Sequence, residues 1–509
     1  MMRKHPRRLK PTSSQERTPA PIRATGNLET DLESFKQVFH NPGDLTTRPF
    51  VFHNKKGLVI YFESLIDNNL LEESFFTPLS EERFDDRYSL ADMITAPKKV
   101  VSNNITEQTR LLTTGYAAIL LEKDTDIIFV ESGLYFNRSV EEPSNEKVVR
   151  GSHEGLVESL FINLNLIRRR AQTSEFTVKK TTVGNKLKRE TAILYMNDIA
   201  DPNTVDVITE RINDISSDLV LSPGFIAEYI QDDVITPFPQ VLFTERTDRI
   251  ISHLLEGRIV ILTDGSPSAL IAPISIFAFF QSPDDYNVHF ILGSFYRLIR
   301  FLSLAIAVTL PALYISVVAF NYEILPNPLI LPIKNSLANI PYPPLIEALI
   351  MEFTIELIRE AGVRLPSPIG QTIGIVGGLV IGEAIVNAGL VSNMVIIVVA
   401  LTAIASFVIP SPEMNSVVRV LRFPFMFLAA MFGILGVSLA SMLLIIHLCK
   451  LTSFGRSYLS PISPFRLKDL KDTFIRMPVW LLNTRPLAVK PKELKQQGYS
   501  WWWKREKKQ

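Results

Sequence analysis

Gly370–Phe407 reads GQTIGIVGGLVIGEAIVNAGLVSNMVIIVVALTAIASF. The run is almost unbroken apolar sequence, long enough for two membrane crossings at about 20 residues each. Gly370, Gly374, Gly378 and Gly382 recur every four residues, with Gly377 beside them. On a helix this spacing makes a stripe without side chains, along which a second helix packs closely. Glu383 and Asn387 lie one turn apart and share a face. A carboxyl at that depth is costly in lipid and is expected to face protein or water. Two readings stay open, a tightly packed bundle helix and a helix that lines a pore.

Working outward, 296–449 reads as an α-helical polytopic membrane domain of about four spans. The first is Leu298–Phe320, entered from Arg297 and Arg300. The second and third lie within Ile369–Ile409, with a break near Gly389–Asn393, and the fourth is Phe423–Leu448. Leu345–Ala361 forms a further helix on which Glu352, Glu356 and Glu360 follow at four-residue steps. So many carboxylates predict an interfacial or vestibule-lining helix, whose glutamates would form an acidic ring in an oligomer. The plainer alternative is an ordinary solvated face. Four spans place both ends on one side, and the flanking arginines and basic tail predict that side to be cytoplasmic. In this arrangement Arg419 and Arg422 fall on the outer side, against the charge rule.

The chain has 509 residues, 21% of them charged, with a net charge of +1. The near-neutral total hides basic ends around an acidic body. Residues 1–28 hold seven basic residues against Glu16, and residues 450–509 hold 14 basic against four acidic. The first 28 residues read as a disordered basic arm rather than a signal peptide, since no apolar run follows the charges. The 450–509 tail, ending in WWWKREKKQ, reads as a basic cytoplasmic segment suited to a membrane interface. Cys449 is the single cysteine, which excludes an intrachain disulfide and a cysteine metal site. No phosphate-binding glycine loop, HExxH or catalytic triad spacing stands out, so an enzyme, a cofactor, a metal and a nucleic-acid partner are not expected.

Between arm and spans the chain reads as a soluble α/β region of two subdomains, 29–140 and 141–290. Lys56–Phe62, and the pair Ala117–Glu122 and Ile127–Glu131 around a KDTD turn, are predicted strands of the first. In the second, Ser152 is a candidate N-cap for a helix running to Arg168, Arg169 and Arg170, cations suited to a helix C-terminus. These arginines end a solvated helix or contact a partner or lipid. Arg258–Leu262 is a strand opening onto Thr263, Asp264, Gly265, Ser266 and Ser268. Such a loop is either a plain turn or a ligand-binding strand end.

Several long blocks, in one order over roughly residues 30 to 480, resemble the A subunits of GerA-type germinant receptors of endospore-forming bacteria. The carriers are VVRGSHEGLVESLFINLNLIRRR (Val148–Arg170), PFPQVLFTERTD (Pro237–Asp248), EGRIVILTDGSPSALIAP (Glu256–Pro273) and SPDDY (Ser282–Tyr286). To these the apolar half adds PYPPLIEALIMEFTIELIREAGVRLPSPIGQTIGIVGGLVIGEA and LTSFGRSYLSP (Leu451–Pro461). The resemblance implies a protein of the spore inner membrane that partners a polytopic B subunit and a C-subunit lipoprotein. It further implies oligomerisation into a nutrient-gated cation channel, with nutrient bound mainly by the B subunit. A non-conducting scaffold, or a sensor using Thr263–Ser268, is the alternative role.

Overall fold

The computed structural model describes residues 21–80, 89–135, 143, 146, 148, 150–338, 340–365, 382–385 and 387–498. Two five-stranded sheets come first. Sheet one contains β1 (Leu45–Phe52), β2 (Lys55–Phe62), β3 (Lys99–Ser102), β4 (Tyr116–Leu121) and β5 (Ile127–Glu131), in the order β1-β2-β4-β5-β3. Sheet two contains β6 (Phe176–Val183), β7 (Arg189–Met196), β8 (Leu242–Thr244), β9 (Ile259–Thr263) and β10 (Ala269–Ala272), in the order β6-β7-β9-β10-β8. The two-subdomain α/β reading therefore holds. Every named strand pair is antiparallel. The crevice that parallel sheets offer at their strand ends is thus not the frame for the Thr263–Ser268 loop.

Alternation along each strand sends side chains to two separate cores. In sheet one, Ile60, Phe62, Ala118 and Leu120 face α1 (Leu28–Val38) and α2 (Ile105–Thr113), where Phe35, Phe39 and Leu112 are buried. Val59, Tyr61, Ala117 and Ile119 face Phe50, Phe75 and Met93 on the other side. Residues 21–27, which composition assigns to the basic arm, are tied to this sheet. Ala24 N donates to Asn103 O at 2.9 Å, and Ile22 N to Thr106 Oγ1 at 3.1 Å.

Sheet two repeats the alternation with a different outcome. Ile193, Ile259, Ile261 and Leu270 face α4 (Pro202–Asn213) and α5 (Pro223–Ile230). Leu194, Val260, Leu262 and Ile271 face α3 (Leu160–Arg170) and α6 (Thr247–Leu255) in a core continuous with the helices that follow. Helix α3 starts at Leu160, later than the predicted Ser152. Before it the chain is extended, with Leu156 N donating to Glu245 O at 2.7 Å and Asn163 clasping both backbone groups of Val157.

The helical region begins with α7 (Phe290–Phe320), 31 residues and about 46 Å long. It continues through α8 (Asn327–Ala338), α9 (Pro344–Arg364), α10 (Asn393–Phe407), α11 (Pro412–Phe432) and α12 (Ile434–Lys450). Two of these, α7 and α11, are long and apolar enough to cross a membrane, and α10 and α12 are shorter apolar helices. The expected fourth span, Phe423–Leu448, is cut in two at Gly433. Its φ of 60° and ψ of −138° admit only glycine readily, and the chain reverses there. Helix α12 then passes so close to α11 that a Cβ on Gly436 would collide with Leu428 O.

Polar contacts locate the ends of these helices. Ser411–Glu413 borders a cavity shared with Thr244, Arg249 and Ser268 of the second sheet domain. At the other end Gly433 meets Phe320. The 410–412 link, with the start of α11, therefore lies on the sheet side. Arg419 and Arg422 lie in the middle turns of α11 rather than in a link outside the helices. Helix α9 differs too. Its Glu347 meets Ser392 beside Tyr314, near the far end of α7, and its Arg359 reaches Ser406 and Phe407 towards the sheets. It packs on α7 and α10 with Ala348 and Met351 buried, and leaves Phe353 and Leu357 exposed.

Candidate functional site

The tail decides how sheets and helices join. After α12, residues 451–498 dock on the second sheet domain. Ser453 Oγ donates to Gln240 O at 2.7 Å, and Tyr458 is fully buried. Arg485 donates through Nε to Leu255 O at 2.7 Å, and Lys492 N donates to Ile199 O at 2.8 Å. The terminal WWWKREKKQ lies outside the described residues.

A buried ionic knot forms where the tail meets the root of α7. Arg297 is 0% exposed and donates through Nε to Asp285 Oδ2 at 2.9 Å and through Nη1 to Asp472 Oδ1 at 2.7 Å. Arg300 reaches Asp285 at 2.7 Å, and Arg476 donates to the carbonyls of Asp285 and Val288 at 2.8 and 2.9 Å. Tyr286 Oη donates to Asp472 Oδ2 at 2.5 Å, and burial pushes the Asp472 carboxyl upward against the pull of Arg297. Two arginines read from sequence as a positive flank of the first span are thus interior joints. Desolvated pairs of this kind hold only while both partners remain.

Next to the knot, His253 lies buried on α6 with Nδ1 3.3 Å from Glu256 Oε2, and Arg258 pairs with Glu256 at 3.2 Å. Burial first, and Arg258 second, hold the imidazole down to about 4. Cavities of about 80 and 210 Å³ flank the Glu256–Gln281 wall. Among the described residues no group of three His, Cys, Asp or Glu side chains could hold a metal.

The three arginines of α3 point inward or pair within the chain. Arg168 is fully buried and grips Asp44, of sheet one's domain, with Nε at 2.9 Å and Nη2 at 2.7 Å. Its guanidinium lies 4.0 Å from the Phe62 ring and 5.0 Å from Phe176. Asn165 Nδ2 donates to Ser64 O at 2.6 Å, and Gly43 N donates to Val178 O at 2.7 Å. Arg168 is therefore the bolt between the two sheet domains. Arg169 covers the Tyr135 ring at 4.7 Å, and Arg170 pairs with Glu154 and Ser152. Asp264 Oδ1 accepts from Leu160 N at 3.1 Å and Gly265 N donates to Glu158 O at 2.7 Å, so the loop caps the start of α3.

In the bundle, Glu352 pairs with Arg422, both buried, and Glu356 pairs with Arg419. Glu360 is exposed and meets Arg364 one turn on, at 2.6 Å. Two of the three expected vestibule glutamates are thus neutralised by α11. The sequence carried a clue in two glutamates and two arginines, each pair about one helical turn apart, on two different helices. Of the glycine-stripe residues, Gly370, Gly374, Gly377 and Gly378 lie outside the described residues. A Cβ on Gly382 would meet no described atom within 4 Å, and Glu383 and Asn387 are exposed.

Comparison with known proteins matches residues 33–488 to the family described as Bacillus/Clostridium GerA spore germination protein. Spore germination protein B1 of Bacillus subtilis (strain 168) is 38% identical over 474 residues, covering 92% of this chain and 98% of that protein. The uncharacterized membrane protein YfkQ of the same organism is 38% identical over 473 residues, covering 90% and 91%. A crystal structure of the N-terminal domain of the A subunit of the Bacillus megaterium spore germinant receptor GerK3 is 25% identical, with a TM-score of 0.40. That likeness covers 50% of this chain and 97% of that one.

Proposed function

The chain belongs to the GerA spore germination protein family, and we propose that it is the spore inner-membrane subunit of a nutrient receptor that oligomerises into a nutrient-gated cation channel. The observation that carries this reading is a contrast inside the helical region. Glu347, Glu352 and Arg422 are buried and bonded within the chain, whereas Gly382, Glu383 and Asn387 form a small, polar surface left uncovered by its described residues. Within so apolar a stretch of sequence such a surface fits water in a pore or a neighbouring copy. Nutrient would bind mainly on a polytopic B subunit, with a C-subunit lipoprotein completing the complex. The sheet domains would sit in the cytoplasm and couple subunits through the tail. No catalytic step is assigned.

Single cysteines along Ile369–Leu390, in a Cys449→Ser background, test the reading in liposomes holding the assembled complex. Block of nutrient-dependent cation flux by a charged thiol reagent, at positions three to four apart, is the expected result. Flux indifferent to every position removes this helix from the pathway. One observation favours a non-conducting scaffold instead. Glu352 and Glu356 are consumed by Arg422 and Arg419, and the exposed Glu360 meets Arg364, so each of the three faces an arginine. Absence of flux from complexes shown to be assembled and nutrient-competent would support that alternative.

A further inference from the structure

The geometry points to a lipid contact outside the helices, in which Val234 and Ile235 of the second sheet domain sit in the headgroup layer of a phospholipid bilayer. The inference rests on the membrane reading above.

Ile235 is 95% exposed and Val234 59%. Their loop, between α5 and β8, is tied down on every side. Gln240, itself fully buried, accepts from Asp232 N at 2.7 Å and Asp233 N at 3.1 Å, and donates back to Asp233 O. Asp233 Oδ1 accepts from Ile235 N at 3.0 Å. Asp232 binds Arg211 at 2.7 Å, Thr452 Oγ1 at 2.6 Å and Gly455 N at 3.0 Å. Both loop carboxylates are thereby bonded within the protein. The frame holds two branched aliphatics outward, an arrangement that costs solubility unless something apolar receives them.

What lies alongside names the receiver. Thr236 Oγ1 is 2.8 Å from His447 Nε2 in the last turn of α12, one turn before Lys450. Pro237 and Phe238 enter an apolar groove of about 230 Å³ between α11 and α12, with Phe425 and Leu444 among its walls. The outward face of α12 exposes Leu439, Met442, Leu443 and Ile446. The Thr236–His447 contact sets Val234 and Ile235 beside the last turn of this helix, which ends at Lys450. An apolar helix face that ends at a lysine marks the edge of the hydrocarbon layer, where aliphatic and cationic groups mix.

The test uses the full-length Cys449→Ser chain in bilayers, with a fluorophore on a single cysteine at Ile235→Cys, Leu443→Cys or Val51→Cys. Val51, 65% exposed on sheet one, is the aqueous reference. The expected result is loss of Ile235 fluorescence to phospholipids brominated near the headgroup, with protection from aqueous iodide. Leu443 should respond to deeper bromines and Val51 to iodide alone. An Ile235 label quenched only by iodide puts the loop in water and overturns the inference. One quenched by neither agent means that a protein partner covers the loop, which also overturns it. A Leu443 label indifferent to all brominated lipids would sink the membrane reading itself, a separate outcome.

Discussion

The two sheets share one strand order, 1-2-4-5-3 counted within each, yet they are finished differently. Sheet one covers both faces with helices and aromatics of its own domain. Sheet two does so on one face only, and its other core runs on into the helical bundle through Phe277, Phe280 and Tyr458. The same scaffold thus serves as a closed module in one copy and as a mounting plate in the other. The ionic knot and the tail tie α7 and α12 to sheet two. Arg168 and Asp44 in turn tie sheet two's domain to sheet one's.

Breaking that last link should have the largest effect. Asp44→Ala strands the buried Arg168 guanidinium and is expected to cost about 3–5 kcal/mol in chemical unfolding of the purified chain. The double change Asp44→Leu with Arg168→Met should recover much of it, and failure to recover would show that the pair does more than neutralise itself. Within the mounting plate's bundle, Arg422→Met leaves Glu352 unpaired and is expected to cost about 3 kcal/mol, read as lowered thermal stability in detergent. Swapping the pair to Glu352→Arg with Arg422→Glu should restore part of the loss.

His253 offers a pH probe confined to sheet two's domain. In the unfolded chain it takes up its proton near pH 6.5, whereas burial and Arg258 hold it to about 4 in the folded protein. The unfolded state binds more protons between those values. Stability is therefore full above about pH 6.5 and declines as pH falls toward 4, by up to about 3 kcal/mol. His253→Gln should flatten that slope, while sheet one's domain should show no matching change. Gly433→Ala, at the far turn, is expected to cost about 1–3 kcal/mol through backbone strain. Arg170→Ala removes a half-exposed pair with Glu154 and should change stability by no more than about 1 kcal/mol. A larger loss there would mean that the 152–159 segment is held mainly by this arginine.

Much of the fold was legible. Strands at Lys55–Phe62, Tyr116–Leu121, Ile127–Glu131 and Ile259–Thr263 carry branched aliphatics in short runs bounded by turns, and they lie where that pattern predicts. The break before Asn393 and the long helix ending at Phe320 were equally plain. The candidate sites were less so. Arg168 to Arg170 left two readings open, a solvated helix end or a contact, because local spacing reports a dipole and not the carboxylate 124 positions away that pairs with Arg168. Glu352 and Glu356 read as an open acidic row because their arginine partners sit on another helix. Phe423–Leu448 read as one span because hydropathy is blind to a backbone turn at one glycine.

By itself the sequence determined the α/β-then-helical order, the apolar runs and the family blocks, all properties of neighbouring residues and their periodicity. The tertiary structure alone decided the shared antiparallel strand order, the docking of the tail and the pairing of charges across helices. Those depend on contacts between distant residues, where a charge's worth is set by what desolvates and neutralises it rather than by its place in the chain.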